Sequence, residues 1–153
     1  MSKIVFIDNI RSAHNVGSIF RTSDGAGVEK IYIGGYSPTP IDRFGRVQPE
    51  IKKTSLGAAE IIPWEHVPLG KTKEALQQLK SEGYAIVAVE QTKDSVSLYD
   101  FQVPEKVCYI VGNEVEGVQP DILEIADAVL EIPMSGIKES LNVSVTTGIV
   151  LFR

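Results

Sequence analysis

Five short runs of β-branched and other apolar residues recur along the chain: Ile4 to Ile7, Ile31 to Ile33, Ala85 to Val89, Val107 to Val111 and Ala128 to Ile132. Most are too uniformly apolar to be strands with one wet face. Strands covered on both faces belong to parallel sheets, whose crossovers are helices. Helical patterns do fill the gaps. Val16, Ile19 and Phe20 form an apolar stripe opposite Asn15, Ser18 and Thr22, which predicts an amphipathic helix starting near Asn15, with Asn15 as its N-cap. Lys71 to Ser81 turns Ala75, Leu76 and Leu79 inward and its lysines outward, and Gly83 stops it. Pro120 opens a helix running to about Ala126. Leu141 to Phe152 is apolar almost all round, which predicts a helix buried in the core or in a subunit contact. Gly148 and the β-branched Val and Thr residues lower its intrinsic helicity, so packing must hold it. The expected class is α/β, a mostly parallel sheet flanked by helices, in one domain over residues 1–153.

A chain of 153 residues buries about 70% of the surface its unfolded form exposes, enough for a core without metal or disulfide staples. Cys108 is the only cysteine, which excludes an internal disulfide and points to a reducing compartment. The longest uninterrupted apolar run, Ala85 to Val89, falls far short of the roughly 20 residues of a membrane span. The N-terminus meets Asp8 directly after Ile4 to Ile7, too soon for the apolar stretch of a signal peptide. The expected location is the cytoplasm, with no membrane partner.

Charge is unevenly placed. The net charge is -5, yet residues 1–60 carry 8 Lys+Arg against 6 Asp+Glu, while residues 61–153 carry 7 against 14. Arg11, Arg21, Arg43, Arg46, Lys52 and Lys53 supply most of the early positive charge. An acidic body can still present a local basic surface, although a solvated charged face gives the same count. Two of those cations lie in the one long loop, residues 34–48, and two follow it; Gly34, Gly35, Gly45, Pro38 and Pro40 prevent regular structure there. Loops this long inside compact domains usually bind something. Arg43, Arg46, Lys52 and Lys53 are therefore candidates for tracking the phosphates of a nucleic acid while Tyr36 or Phe44 stacks on an unpaired base. The competing reading is a solvated loop and helix with Phe44 tucked into the core.

Several constellations are missing. No Gly-x-Gly-x-x-Gly follows a strand, and there is neither a phosphate loop ending in Gly-Lys-Ser/Thr nor a Gly-x-Ser-x-Gly elbow. His14 and His66 with one cysteine make no zinc-like cluster, so no metal is expected and His14 reads as a turn residue.

Three clusters remain. The first runs from Asn9 to Thr22, with Asn15 at a helix start and Arg21 about 9 Å further along the axis, a spacing that flanks a phosphate or ribose. The second, Gly112-Asn113-Glu114-Val115-Glu116-Gly117, directly follows the strand Val107 to Val111. Loops at the carboxyl ends of parallel strands bind ligands, and glycine lets a ligand approach the backbone. A tight turn would use the same glycines. The third, Ile132 to Val145, also follows a strand, and its Ser140 and Asn142 look like a helix entry.

In order and spacing these clusters resemble the three signature motifs of the SpoU-type RNA ribose 2'-O-methyltransferases of the SPOUT class, over essentially the whole chain. Asn15 to Arg21 resembles the first motif, Gly112-Asn113-Glu114 with Gly117 the second, and Ile132-Pro133-Met134 with Ser140 to Val145 the third. Val89-Glu90-Gln91 resembles the family loop preceding the second motif. Thr146-Thr147-Gly148 departs from the small, alanine-like residues usual there, and little chain follows the last helix.

The resemblance implies a C-terminal deep trefoil knot, an S-adenosylmethionine cofactor bound by loop backbone within it, a homodimer, and tRNA or rRNA as substrate. Cofactor contacts would fall at Val89, Glu90, Val111, Gly112, Asn113, Gly117, Ile132, Met134, Ser140 and Leu141. Catalytic roles would fall to Asn15, Arg21, Glu114, Ser140 and Asn142, and RNA contacts to Arg11, Arg21, Arg43, Arg46, Lys52 and Lys53. With no additional RNA-binding domain in this sequence, substrate selection would rest on the catalytic domain, its partner subunit or another protein. Base methylation on the same fold, and RNA binding without catalysis, are the competing functions.

Overall fold

The computed structural model describes residues 1–153. Its strands are β1 (Ser2–Asp8), β2 (Lys30–Gly34), β3 (Trp64–Val67), β4 (Ala85–Val89), β5 (Val96–Ser97), β6 (Lys106–Val111) and β7 (Ala128–Glu131). The helices are α1 (Ala13–Gly25), α2 (Pro49–Ser55), α3 (Thr72–Ser81), α4 (Pro120–Ile125) and α5 (Val143–Leu151), with a 3-10 turn at Ala58–Glu60. The strands form one seven-stranded sheet in the order β3-β2-β1-β6-β4-β7-β5, every pair parallel.

Side chains alternate across a strand, so each apolar run feeds two cores at once. Val5 and Ile7 of β1, Val87 of β4, and Val107, Tyr109 and Val111 of β6 pack on one side with Val16, Ile19 and Phe20 of α1 and Val150 and Leu151 of α5. Ile4 and Phe6, Ile86 and Ala88, and Cys108 and Ile110 pack on the other side with Leu76 and Leu79 of α3 and Ile122 of α4. Burial pushes the Cys108 thiol up, which keeps it protonated and inert.

From β1 the chain winds outward through β2 to β3, while β6 inserts between β1 and β4. The loops after β1 and β6 therefore diverge at a topological switch point, where open α/β sheets form a crevice.

Several local expectations need correction. Asn15 is not the cap of α1: Ser12 is, and its Oγ accepts the Asn15 N–H at 3.1 Å. His14 stands on the first turn of α1, exposed, rather than in a turn. α5 begins at Val143, capped by Asn142, whose Oδ1 accepts the Ser144 N–H at 2.8 Å. It is buried on one side only, because Val145 and Ile149 are 50% and 39% exposed. Phe44 lies outside the core, 67% exposed at the tip of its loop. Strands β3 and β5 were not foreseen: Glu65 and His66 break the apolar run of an edge strand, and β5 is only two residues long.

Candidate active site

Glu114 joins the first and second clusters. Its carboxylate lies over the start of α1, where Oε1 accepts the Arg11 N–H at 3.0 Å and Oε2 accepts the Ser12 N–H at 3.0 Å. Oε2 also accepts from Asn15 Nδ2 at 3.3 Å. The third cluster enters through Asn142, whose Nδ2 donates to Asn15 Oδ1 at 3.2 Å. Asn15 is thus held at both ends of its amide, and it is buried. Because Ser12 takes over the capping, the Asn15 side chain is free for this role.

Partial burial works against the Glu114 charge, but the N–H groups of Arg11, Glu114 itself and Ser12, with the Asn15 amide, hold the carboxyl below its usual range. A lowered folded pKa means the stabilisation is complete above the ordinary glutamate range and lost as pH falls through the folded value. Thermal unfolding should therefore show a gap between wild type and Glu114→Gln that is widest near neutrality and closes below about pH 4. A gap independent of pH would mean that the charge of Glu114 does not hold the loop.

The 112–118 turn is closed by two backbone hydrogen bonds, Asn113 N–H to Gly117 O at 3.2 Å and Gly117 N–H to Asn113 O at 2.9 Å. Asn113 braces it from within: Nδ2 donates to Asn9 O and Tyr36 Oη at 2.9 and 2.8 Å, and Oδ1 accepts the N–H groups of Val115 and Glu116. Glu90 braces it from the β4 side, with Oε2 accepting the Val118 N–H at 3.0 Å. Gly117 has φ 72° and sits beneath that carboxylate. That conformation favours glycine, and a Cβ there would lie 1.9 Å from Glu90 Oε2 and turn that carboxylate away from the Val118 N–H.

Beside this turn lies a cavity of about 450 Å³ at the carboxyl ends of β4, β6 and β7. All ten residues expected at a cofactor line it: Val89, Glu90, Val111, Gly112, Asn113, Gly117, Ile132, Met134, Ser140 and Leu141. Glu114 and Asn142 line it too, so the three clusters converge. Asn15 stands behind them. Arg21 does not line this cavity and projects into solvent from α1, while Arg11 reaches Glu114 through its backbone. Sequence reasoning missed Thr92, Glu131, Glu139 and Thr146 in the lining. The charge pattern across loops is the only signal for the two glutamates, and the two threonines carried none. Glu90, Glu114, Glu116, Glu131 and Glu139 all line the cavity, and no Lys, Arg or His does.

The sequence profile of the SpoU rRNA Methylase family matches residues 2–152. The chain belongs to the SpoU rRNA methylase family. It is 37% identical over 155 residues to the tRNA (guanosine(18)-2'-O)-methyltransferase of Aquifex aeolicus, covering 98% of this chain and 67% of that protein. It is 31% identical over 148 residues to the 23S rRNA (guanosine-2'-O-)-methyltransferase RlmB of Neisseria meningitidis serogroup B, covering 97% of this chain and 56% of that one. The fold superposes on the AdoMet-bound rRNA methyltransferase from Sinorhizobium meliloti with a TM-score of 0.87 and 28% identity, over 99% of this chain and 54% of that one. The chain thus spans little more than half the length of two of these three SpoU relatives.

Proposed function

We propose that this SpoU-family chain transfers the methyl group of S-adenosylmethionine to a ribose 2'-hydroxyl of tRNA or rRNA, acting as a single catalytic domain in the cytoplasm. The observation that carries the reading is the Glu114–Asn15–Asn142 chain of hydrogen bonds at the mouth of the cavity, which unites three distant motifs. The Aquifex and Neisseria relatives are both named as guanosine 2'-O-methyltransferases.

The residues present fit the cofactor. About 450 Å³ lies within the 300–1,000 Å³ typical of small-molecule sites. Five carboxylates and no cation surround it, so a phosphate-bearing cofactor would meet only repulsion, whereas a sulfonium is attracted. Gly112 and Gly117 let backbone close around a ligand, and Val89, Val111, Ile132, Met134 and Leu141 supply an apolar bed for adenine. Glu90 and Asn113 act through the turn they brace.

When bound, the cofactor presents an electrophilic methyl group that passes to the ribose oxygen as sulfur leaves in a neutral thioether. The protein's task is to bring the hydroxyl in line, and positioning alone supplies several kcal/mol, of order 7 or more. Asn15 acts from behind, holding Glu114 and Asn142 in place, Glu114 fixes the loop, and Asn142 with Ser140 completes the polar rim that orients the ribose. Arg21 grips the neighbouring phosphate with its planar fork and polarises the hydroxyl. It is not the base, because a guanidinium presents only hydrogen-bond donors and no acceptor. The proton leaves late, to phosphate or water.

The working unit in this reading is a homodimer. Leu141, Val145, Ile149 and Phe152 are 38%, 50%, 39% and 65% exposed at helical spacing along α5 and its flanks, an apolar stripe in need of cover. Arg21 lies outside its own cavity and would serve the site of the second copy. The knot implied by the resemblance is supported by the path of the chain, which leaves β7 beyond β4 and returns to pack α5 against α1. Arg11, Arg43, Arg46, Lys52 and Lys53, all exposed, join Arg21 as the RNA contacts. No helix is long and apolar enough to cross a membrane, and no three His, Cys, Asp or Glu side chains converge as a metal site would require.

Incubation of tRNA and rRNA with the protein and methyl-labelled S-adenosylmethionine, followed by nucleoside mass spectrometry, tests the activity. Label is expected on a ribose 2'-oxygen. Label on a base, or cofactor binding with no transfer to any RNA, would overturn the reading.

A further inference from the structure

We propose that the tip of the loop between β2 and α2, residues 41–47, docks an unpaired nucleotide of the RNA, with Phe44 as the stacking platform and Arg43 and Arg46 as flanking phosphate ligands. This rests on the RNA-methylation reading above and adds the residue that grips a splayed base. The tip is pre-formed. Ile41 and Val47 face each other in an antiparallel bridge, and the Asp42 N–H donates to Arg46 O at 2.9 Å. Asp42 Oδ1 accepts the N–H groups of Phe44 and Arg46 at 2.9 Å each, and Oδ2 accepts Arg46 Nε at 2.8 Å. A tip held this way loses little freedom on binding, which is how pre-organisation raises affinity.

What it presents is an aromatic ring 67% exposed, with Arg43 Cζ 4.8 Å and Arg46 Cζ 5.0 Å from its centroid. A ring beside two guanidiniums is complementary to a strand that offers planar bases and anionic phosphates. Magnitudes decide whether a base displaces a guanidinium from the ring. An exposed cation–π contact is worth about 0.5–1 kcal/mol, against about 1–3 kcal/mol for a base stacked on an aromatic. The base wins: Arg43, whose only contact of this kind is the ring, turns to phosphate, while Arg46 stays on Asp42 through Nε and offers its terminal N–H groups. Lys52 and Lys53 follow on α2 and continue the positive track. Tyr36, at the root of the same loop, is already engaged: its N–H donates to Asn9 Oδ1 and its hydroxyl accepts from Asn113. That link also ties the loop to the active-site turn, so the tip and the cavity belong to one surface.

Fluorescence anisotropy with a labelled tRNA transcript and with a fully paired RNA duplex tests the proposal. Phe44→Ala should weaken transcript binding about five- to a hundredfold, leave the duplex and S-adenosylmethionine affinities unchanged, and keep the log-log salt slope, since a ring releases no counterion. Phe44→Trp should retain binding. Replacing Arg43 and Arg46 together by Gln should flatten the slope by about 1.4, at about 0.7 per phosphate. Transcript binding undiminished in Phe44→Ala, or an equal loss on the duplex, overturns the proposal alone. Absence of any RNA binding by the unmodified protein overturns it together with the RNA-substrate reading.

Discussion

Gly112→Ala is expected to lower S-adenosylmethionine affinity by about ten- to a hundredfold, measured by calorimetry, while the sheet still folds. A Cβ at this position would stand 2.4 Å from the carbonyl carbon and oxygen of Gly117 and 2.5 Å from the Val118 nitrogen. All three atoms are backbone, so no side chain can rotate away. The turn must open, and opening it pulls the Val118 N–H away from Glu90 and reshapes the wall that faces the cavity. A second variant separates a blocked cavity from a disturbed turn. Leu141→Trp adds bulk at the rim from a residue 38% exposed, lies outside the 112–118 turn in sequence, and should weaken the same ligand. Unchanged affinity in both variants would place the cofactor outside this cavity.

Much of the fold was legible because burial on both faces leaves a strong mark. The runs at β1, β4 and β6 appear in the sequence as unbroken apolar stretches, and the structure buries them between the two helical layers. Edge strands carry no such mark. In β3 only Val67 is buried, so its pattern is indistinguishable from a loop. The position of β6 between β1 and β4 was likewise invisible, since strand order is a long-range property that no local period encodes.

The site was read in pieces. The resemblance supplied ten positions for cofactor contacts, and the structure gathers those ten around one cavity. What single residues could not disclose was how they are held. Asn15 looked like a cap because asparagine is a favoured capping residue, yet Ser12, three positions earlier, performs that task. The acidic lining was hidden for another reason. Its five glutamates come from the ends of three strands, β4, β6 and β7, and the segments that follow them, and only folding makes them neighbours. In the proposed reading that lining also bears on the overall charge of -5: part of the acid excess faces a cationic ligand, while the exposed Arg11, Arg21, Arg43, Arg46, Lys52 and Lys53 lie outside the cavity.

Arg21→Ala is expected to reduce methyl transfer by about 10²–10³-fold, the usual consequence of removing one oriented donor from a developing charge, with cofactor affinity unchanged. Arg21→Lys should fail nearly as badly, because a point charge cannot reproduce the bidentate fork. The position of Arg21 makes a stronger demand. It is exposed on α1 and absent from the lining of its own cavity, whereas the α5 stripe offers a surface for a second copy. If each cavity uses the arginine of the opposite subunit, two impaired variants assayed at S-adenosylmethionine well below saturation for Gly112→Ala should rescue one another. In a mixed dimer of Arg21→Ala and Gly112→Ala, the intact cavity of the first subunit meets the intact arginine of the second. The remaining site lacks both. Random pairing on co-expression then leaves about a quarter of all sites competent, and sedimentation should give twice the chain mass. Recovery to about that level would assign Arg21 across the boundary. No recovery from a verified mixed dimer would return it to its own subunit, and full activity of Arg21→Ala alone would remove it from the reaction.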